Sequence, residues 1–216
     1  MTLDDLTPAT VEVELDPVPN PTASRLAFWA MVLFIVAYCG VLLGAMSVQL
    51  LQHEDPCPLC MLQRYAMILV TIPALWIVAD ALRGRLTRSR YAAGLGMSII
   101  AAVAGGTEST RQILLHIASK TDPGYGSAVL GLHLYTWALI TFVVVIVFCG
   151  VMLMLCGSVV PLAPATPGMR TLAKAGLWLF LAVVVANVVL IILLEGFSWV
   201  LPDNPTSYRL PHELVG

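Results

Sequence analysis

The sequence predicts an all-α integral membrane protein, and three observations predict it. Hydrophobic residues make up 59% of the 216 positions and charged residues only 11%, against about 25% charged in an ordinary soluble domain. The mean hydropathy is +0.89. The apolar residues also gather into runs long enough to cross a hydrocarbon core of about 30 Å at about 1.5 Å per residue. Backbone polar groups inside a bilayer must be satisfied within their own segment, so these runs are expected to be helices. A net charge of −2 without a basic cluster argues against nucleic-acid binding.

The elements follow in order. Residues 1–24 hold five carboxylates, four prolines and no Lys or Arg. Such a stretch buries too little apolar surface to offset its ordering entropy and reads as a disordered acidic tail, not a signal peptide. The first apolar run covers 27–50, and the second covers 61–82 with Arg64 near its start and Pro73 in its middle. The third begins at Tyr91, is strongly apolar to about 104, and continues as the mixed segment GGTESTRQILLHIA, which makes it the weakest span. The fourth covers about 129–156 and the fifth about 172–194.

Five spans are expected, and the basic residues orient them. Arg25, then Arg83, Arg85, Arg88 and Arg90, then Arg170 and Lys174 fall on one side, which is the cytoplasmic one by the positive-inside rule. This puts the N-terminus inside and the C-terminus outside, with residues 51–60 and 119–128 as outer loops. Gly40 and Gly44 form a small-xxx-small pair suited to packing within the chain.

The stretch that carries chemistry is HEDPCPLCMLQRYAM, residues 53–67. Cys57 and Cys60 form a C-x-x-C motif at the outer mouth of the second helix, where the positive end of the helix dipole favours a thiolate. Arg64 stands one turn deeper on the face of Cys60, and an arginine just inside a membrane calls for a functional explanation. Two other readings stay open, and a third is excluded. The pair could be half a zinc site with His53 as a third ligand, although a structural zinc takes four ligands. It could be an inert disulfide. Haem attachment requires His at position 61, which is Met. Cys39, Cys149 and Cys156 lie in or at the end of apolar segments and read as packing residues.

These residues resemble the DsbB family of bacterial quinone-linked disulfide-forming membrane proteins. The likeness rests on C-x-x-C-x-x-x-Arg at residues 57–64, the Arg111-Gln112 pair, and Leu130-Gly131-Leu132 with Trp137, and it covers about residues 27–157. It implies a four-helix bundle at 25–157, with residues 158–216 adding a loop, a fifth helix and a short outer tail. It implies a thiol:disulfide oxidoreductase of the bacterial inner membrane that passes electrons from a periplasmic thioredoxin-fold dithiol protein to ubiquinone or menaquinone. Cys57 would exchange with incoming thiols, Cys60 would face the quinone, and Arg64 would stabilise both thiolate and quinone oxygen. Arg111 and His133 are further candidates for the quinone site. The alternative is a non-enzymatic membrane subunit of the same fold, binding metal through His53, Cys57 and Cys60 or scaffolding a partner.

The resemblance has a gap. The family usually carries a second cysteine pair between the third and fourth helices, and here that loop reads SKTDPGYGSAVLG with no cysteine. Among secondary residues, Glu108 and Arg111 are spaced for an ion pair. His116, His133, Tyr135 and Trp137 suit an interfacial belt, with His133 a proton donor if it faces the pocket. Asp80 is expected near Arg83.

Overall fold

The computed structural model describes residues 20–51, 56–117 and 129–195. Among them run five helices: α1 Pro21–Leu51, α2 Pro58–Leu82, α3 Arg88–Ile117, α4 Leu134–Leu155 and α5 Pro167–Glu195. Residues 1–19 of the expected tail, His53, the 118–128 loop and the C-terminal tail lie outside the described residues; residues 21–24, expected as part of the disordered tail, are the helical start of α1. α3 packs between α2 and α4, α1 packs on α2, and α5 lies chiefly along α1 while touching α2.

Helix starts are set by caps more than by the apolar runs. α1 opens at a proline, and the Asn20 side chain accepts from the Thr22 N–H at 3.0 Å, a cap that carries the helix six residues ahead of the apolar run. α5 likewise opens at Pro167, ahead of its apolar stretch. α4 starts later than its run because Leu130 and Gly131 take positive φ, 53° and 81°. Val129 and Leu132 exchange backbone hydrogen bonds at 2.9 and 3.2 Å across that turn. The Trp137 indole N–H then pins it by donating to the Val129 carbonyl at 2.9 Å.

Four of the five helices, α1, α2, α4 and α5, are long and apolar enough to cross a membrane. α3 has 30 residues, hence about 45 Å of length, but falls short in hydropathy. Its buried face explains this, since apart from Tyr91 and Leu95 it is small or polar: Gly94, Ser98, Ala102, Gly105, Ser109 and Gln112. Small residues let the neighbours close on the backbone. A Cβ on Gly105 would stand 2.3 Å from the Phe142 ring and 2.7 Å from Ala66 Cβ, so α2, α3 and α4 meet there. The core runs from Phe28, Ile35 and Leu42 of α1 through Val70 and Ile77 of α2 to Phe142 of α4, while Leu33, Leu69, Ile100 and Val147 stay exposed, as expected of a lipid-facing surface.

At the end rich in arginine, Asp80 pairs with Arg90 at 2.6 Å, not with Arg83. The Arg170 guanidinium donates to the Leu82 carbonyl, tying the start of α5 to the end of α2.

Candidate functional site

The C-P-L-C segment is itself the start of α2. Cys57 is the N-cap, in extended conformation, with Pro58 in the first helical position where the missing N–H costs nothing. The Cys57 sulfur accepts the Cys60 backbone N–H at 3.3 Å. A cysteine thus does the work usually given to Ser or Asp, and the same geometry folds Cys60 back beneath it. The two sulfurs stand 2.7 Å apart, so a small movement joins or separates a disulfide. Cys57 is only 7% exposed, and Cys60 is half-buried.

Two polar arms leave the first turns of α2 on different flanks. Gln63 reaches α3, its amide N–H donating to Gln112 Oε1 at 2.8 Å. That bond orients Gln112, whose own amide nitrogen points at Cys57 Sγ (3.3 Å) and Cys60 Sγ (3.5 Å). Arg64 reaches α1, donating from Nη1 to Gln49 Oε1 at 2.7 Å and from Nη2 to the Ala45 carbonyl at 2.9 Å. Gln49, Gln63, Arg64 and Gln112 are all buried. The dithiol therefore sits in a polar, hydrogen-bonded seam inside an apolar bundle, where such bonds are strong. Cys57, just outside the helix, is pushed above the usual thiol range, first by its hydrogen bond with Cys60 and then by burial.

A cavity of about 360 Å³ opens against this seam. Its walls come from α1, α2, α4 and the 129–130 turn, and they are mostly apolar: Val41, Val48, Met67, Leu134 and Ala138 among them. Cys60 and Arg64 line it and Cys57 does not, so the two cysteines have different surroundings. Gly44 borders it with no atom near its would-be Cβ, which keeps the α1 wall open.

The sequence-based candidates divide. Cys57, Cys60 and Arg64 come together as their spacing suggested. Arg111 does not join them: it is exposed and lines a separate hollow between α3 and α4, with Thr107 and Thr110. Nor does it pair with Glu108, whose Oε2 is buried without a hydrogen-bond partner. His133 caps α4 without a side-chain cap bond and stacks on Tyr135 at 5.2 Å between ring centres; Tyr135, not His133, lines the cavity. Gln112, Gln63 and Gln49 were missed as site residues. One signal was available, because Gln112 continues the small-residue face of α3 at seven from Gly105, whereas Arg111 lies about 100° round the helix. Among the described residues no group of three potential metal ligands occurs.

Fold and site together define an α-helical membrane protein with a vicinal-type cysteine pair at the mouth of one helix, beside an apolar cavity. The family described as Disulfide bond formation protein DsbB matches residues 25–123. Disulfide bond formation protein B 2 of Burkholderia lata is 35% identical over 103 residues, which is 48% of this chain and 55% of that protein. Disulfide bond formation protein B of Azoarcus sp. is 35% identical over 95 residues, 44% of this chain and 55% of that one. Disulfide bond formation protein B 1 of Pseudomonas entomophila is 32% identical over 140 residues, 52% of this chain and 82% of the relative. The chain belongs to the DsbB family of disulfide bond formation proteins. It spans about half the length of the first two relatives. No solved structure matches it.

Proposed function

We propose that the chain is a membrane thiol:quinone oxidoreductase, taking two electrons from an extracytoplasmic dithiol protein through Cys57 and Cys60. The observation that carries this reading is the double position of Cys60, hydrogen-bonded to Cys57 on one side and open to the cavity with Arg64 on the other. The cavity volume falls in the range of small-molecule sites, about 300–1,000 Å³, and combines apolar walls with few polar groups. A quinone head group, a flat apolar ring with two carbonyl acceptors, fits that donor set. When bound, it supplies the acceptor for two electrons and two protons.

The chain's own groups then act as follows. A substrate thiolate attacks Cys57 Sγ, and the Cys57–Cys60 bond breaks with its electron pair leaving on Cys60. The Gln112 N–H and the nearby Arg64 guanidinium stabilise that charge. The second substrate thiol attacks the mixed disulfide, releasing an oxidised substrate and leaving Cys57 reduced. Its raised affinity for protons keeps the proton on Cys57 while Cys60 faces the cavity. Because Cys57 is buried, substrate attack requires the outer end of the bundle to open. The basic residues at the Arg90 and Arg170 end support a cytoplasmic N-terminus and an outer C-terminus for the chain.

The experiment uses the full chain in detergent with a reduced thioredoxin-fold protein and a ubiquinone. Cys60→Ser should accumulate a mixed disulfide at Cys57, and Cys57→Ser should abolish thiol-dependent quinone reduction. Arg64→Ala should weaken quinone binding while the disulfide still forms. Full turnover by Cys57→Ser would refute the assignment.

A further inference from the structure

The hollow between α3 and α4 lies apart from the cysteine pair. It measures about 600 Å³, and none of its lining residues lines the Cys60 cavity. It faces outward from the bundle, for Val103, Leu114 and Leu115 of α3 and Val143 of α4 are all exposed. The Thr107 and Thr110 hydroxyls are turned back to the helix, donating to the Val103 and Gly106 carbonyls at 2.8 Å each. Among the described lining residues only Arg111 is charged.

Gly106 leaves the space open. One residue earlier, a Cβ on Gly105 would collide with Phe142 and Ala66, whereas a Cβ on Gly106 would meet Leu139 and Phe142 only at 3.8 Å, an ordinary contact. Helix packing therefore accounts for Gly105 but not for Gly106, although an interior glycine weakens a helix. A side chain at 106 would project into the hollow that this residue lines.

Depth decides what reaches Arg111. It stands 21 residues beyond Arg90 on the same helix, about 31 Å at about 1.5 Å per residue. A hydrocarbon core is about 30 Å thick. Arg90 marks one boundary, paired with Asp80 and 5.8 Å from the centre of the Trp76 ring. Arg111 thus stands at the other boundary, at the end that carries the cysteines, since its neighbour Gln112 reaches both sulfurs. Lipid phosphates lie at that level, and a guanidinium binds phosphate through paired N–H donors. From there the apolar wall runs inward along Val103, Val143 and Ile146, the course of an acyl chain.

We propose that this hollow seats one anionic phospholipid, its phosphate on Arg111 and an acyl chain over Gly106 and along α4. Charge selects this occupant. A two-fold pairing of copies through the same face would instead set two Arg111 side chains against each other at equal depth. The lipid site stands independently of the quinone reading.

The test is native mass spectrometry of the full chain released from detergent micelles containing phosphatidylglycerol, with lipids retained per chain as the readout. The unmodified chain should keep one phosphatidylglycerol more than Arg111→Gln. Gly106→Leu, which fills the hollow and leaves the arginine, should lose the same lipid. Val143→Phe enters the space from an exposed position on α4 and should lose it too, which keeps the test open if leucine at 106 disturbs folding. In phosphatidylethanolamine, whose ammonium neutralises the phosphate, the difference between the unmodified chain and Arg111→Gln should vanish. Equal phosphatidylglycerol retention by those two chains overturns the headgroup contact. Full retention by Val143→Phe overturns the hollow as the seat. A difference as large in phosphatidylethanolamine overturns the choice of an anionic lipid, and a two-chain species lost in Val143→Phe makes the face a contact between copies instead.

Discussion

Gln112→Leu separates the chemistry of the cysteine pair from the packing around it. Gln112 is 1% exposed and its amide nitrogen stands 3.3 and 3.5 Å from the two sulfurs. In the proposed mechanism, cleavage of the disulfide leaves its electron pair on Cys60, a charge that this N–H would face, and hydrogen bonds to charged groups contribute about 1.5–3 kcal/mol. In the disulfide the same N–H meets neutral sulfur, a weak acceptor. Leucine therefore destabilises the reduced form selectively. Taking about 2 kcal/mol, at about 30 mV per 1.4 kcal/mol for a two-electron couple, the reduction potential of the pair should fall by about 40 mV. The variant has a second, independent cost. It strips the acceptor from the buried Gln63 amide, bonded at 2.8 Å in the native chain, which should lower stability by about 1–3 kcal/mol.

The two effects can be measured apart. Equilibration with dithiothreitol buffers followed by thiol alkylation gives the potential, and denaturation in mild detergent gives the stability. The double variant Gln63→Leu/Gln112→Leu replaces both partners of the amide pair, so most of the stability should return while the potential stays low. A Gln112→Leu potential within about 10 mV of the native value, well inside the shift a charge-assisted bond implies, would refute the argument that this amide stabilises the reduced pair.

Two other variants probe the scaffold. Gly105→Ala puts a Cβ 2.3 Å from the Phe142 ring and 2.7 Å from Ala66 Cβ; it should cost about 1–3 kcal/mol by overpacking, and Phe142→Leu should restore only part because the Ala66 contact remains. Asn187 in α5 is fully buried with neither amide atom hydrogen-bonded. Asn187→Leu should raise stability by about 1–3 kcal/mol, and a lower melting temperature instead would show that the amide has a partner.

The parts of the site legible in the sequence are those carried by one helix. Cys57, Cys60 and Arg64 are fixed relative to one another by helical geometry alone, so their spacing announced them. Gln112 and Tyr135 depend on how α3 and α4 rotate against α2, which no local pattern encodes. Arg111 drew attention as a charge, yet it lies one residue and about 100° from the position that meets the sulfurs. Helix existence was legible because apolar runs of membrane length admit no other regular structure. Helix ends were not: hydropathy does not register the Asn20 cap of α1 or the positive-φ turn before α4.

The weakness of α3 as an apolar span and the presence of a site have one cause. A lipid-exposed helix must be apolar, but α3 is flanked by α2 and α4, so its inner face is released from that demand. The face spends this freedom twice, on glycine and serine that bring α2 and α4 close, and on Gln112, which turns an amide toward the dithiol. Close packing at Gly105 is what leaves Gln112, two turns further out, within reach of both cysteines. A more apolar α3, with leucines along this face, would cross a membrane more readily by hydropathy, but it would push α2 away and take the amide nitrogen from both sulfurs. The low hydropathy of the third helix is therefore the sequence trace of the candidate site.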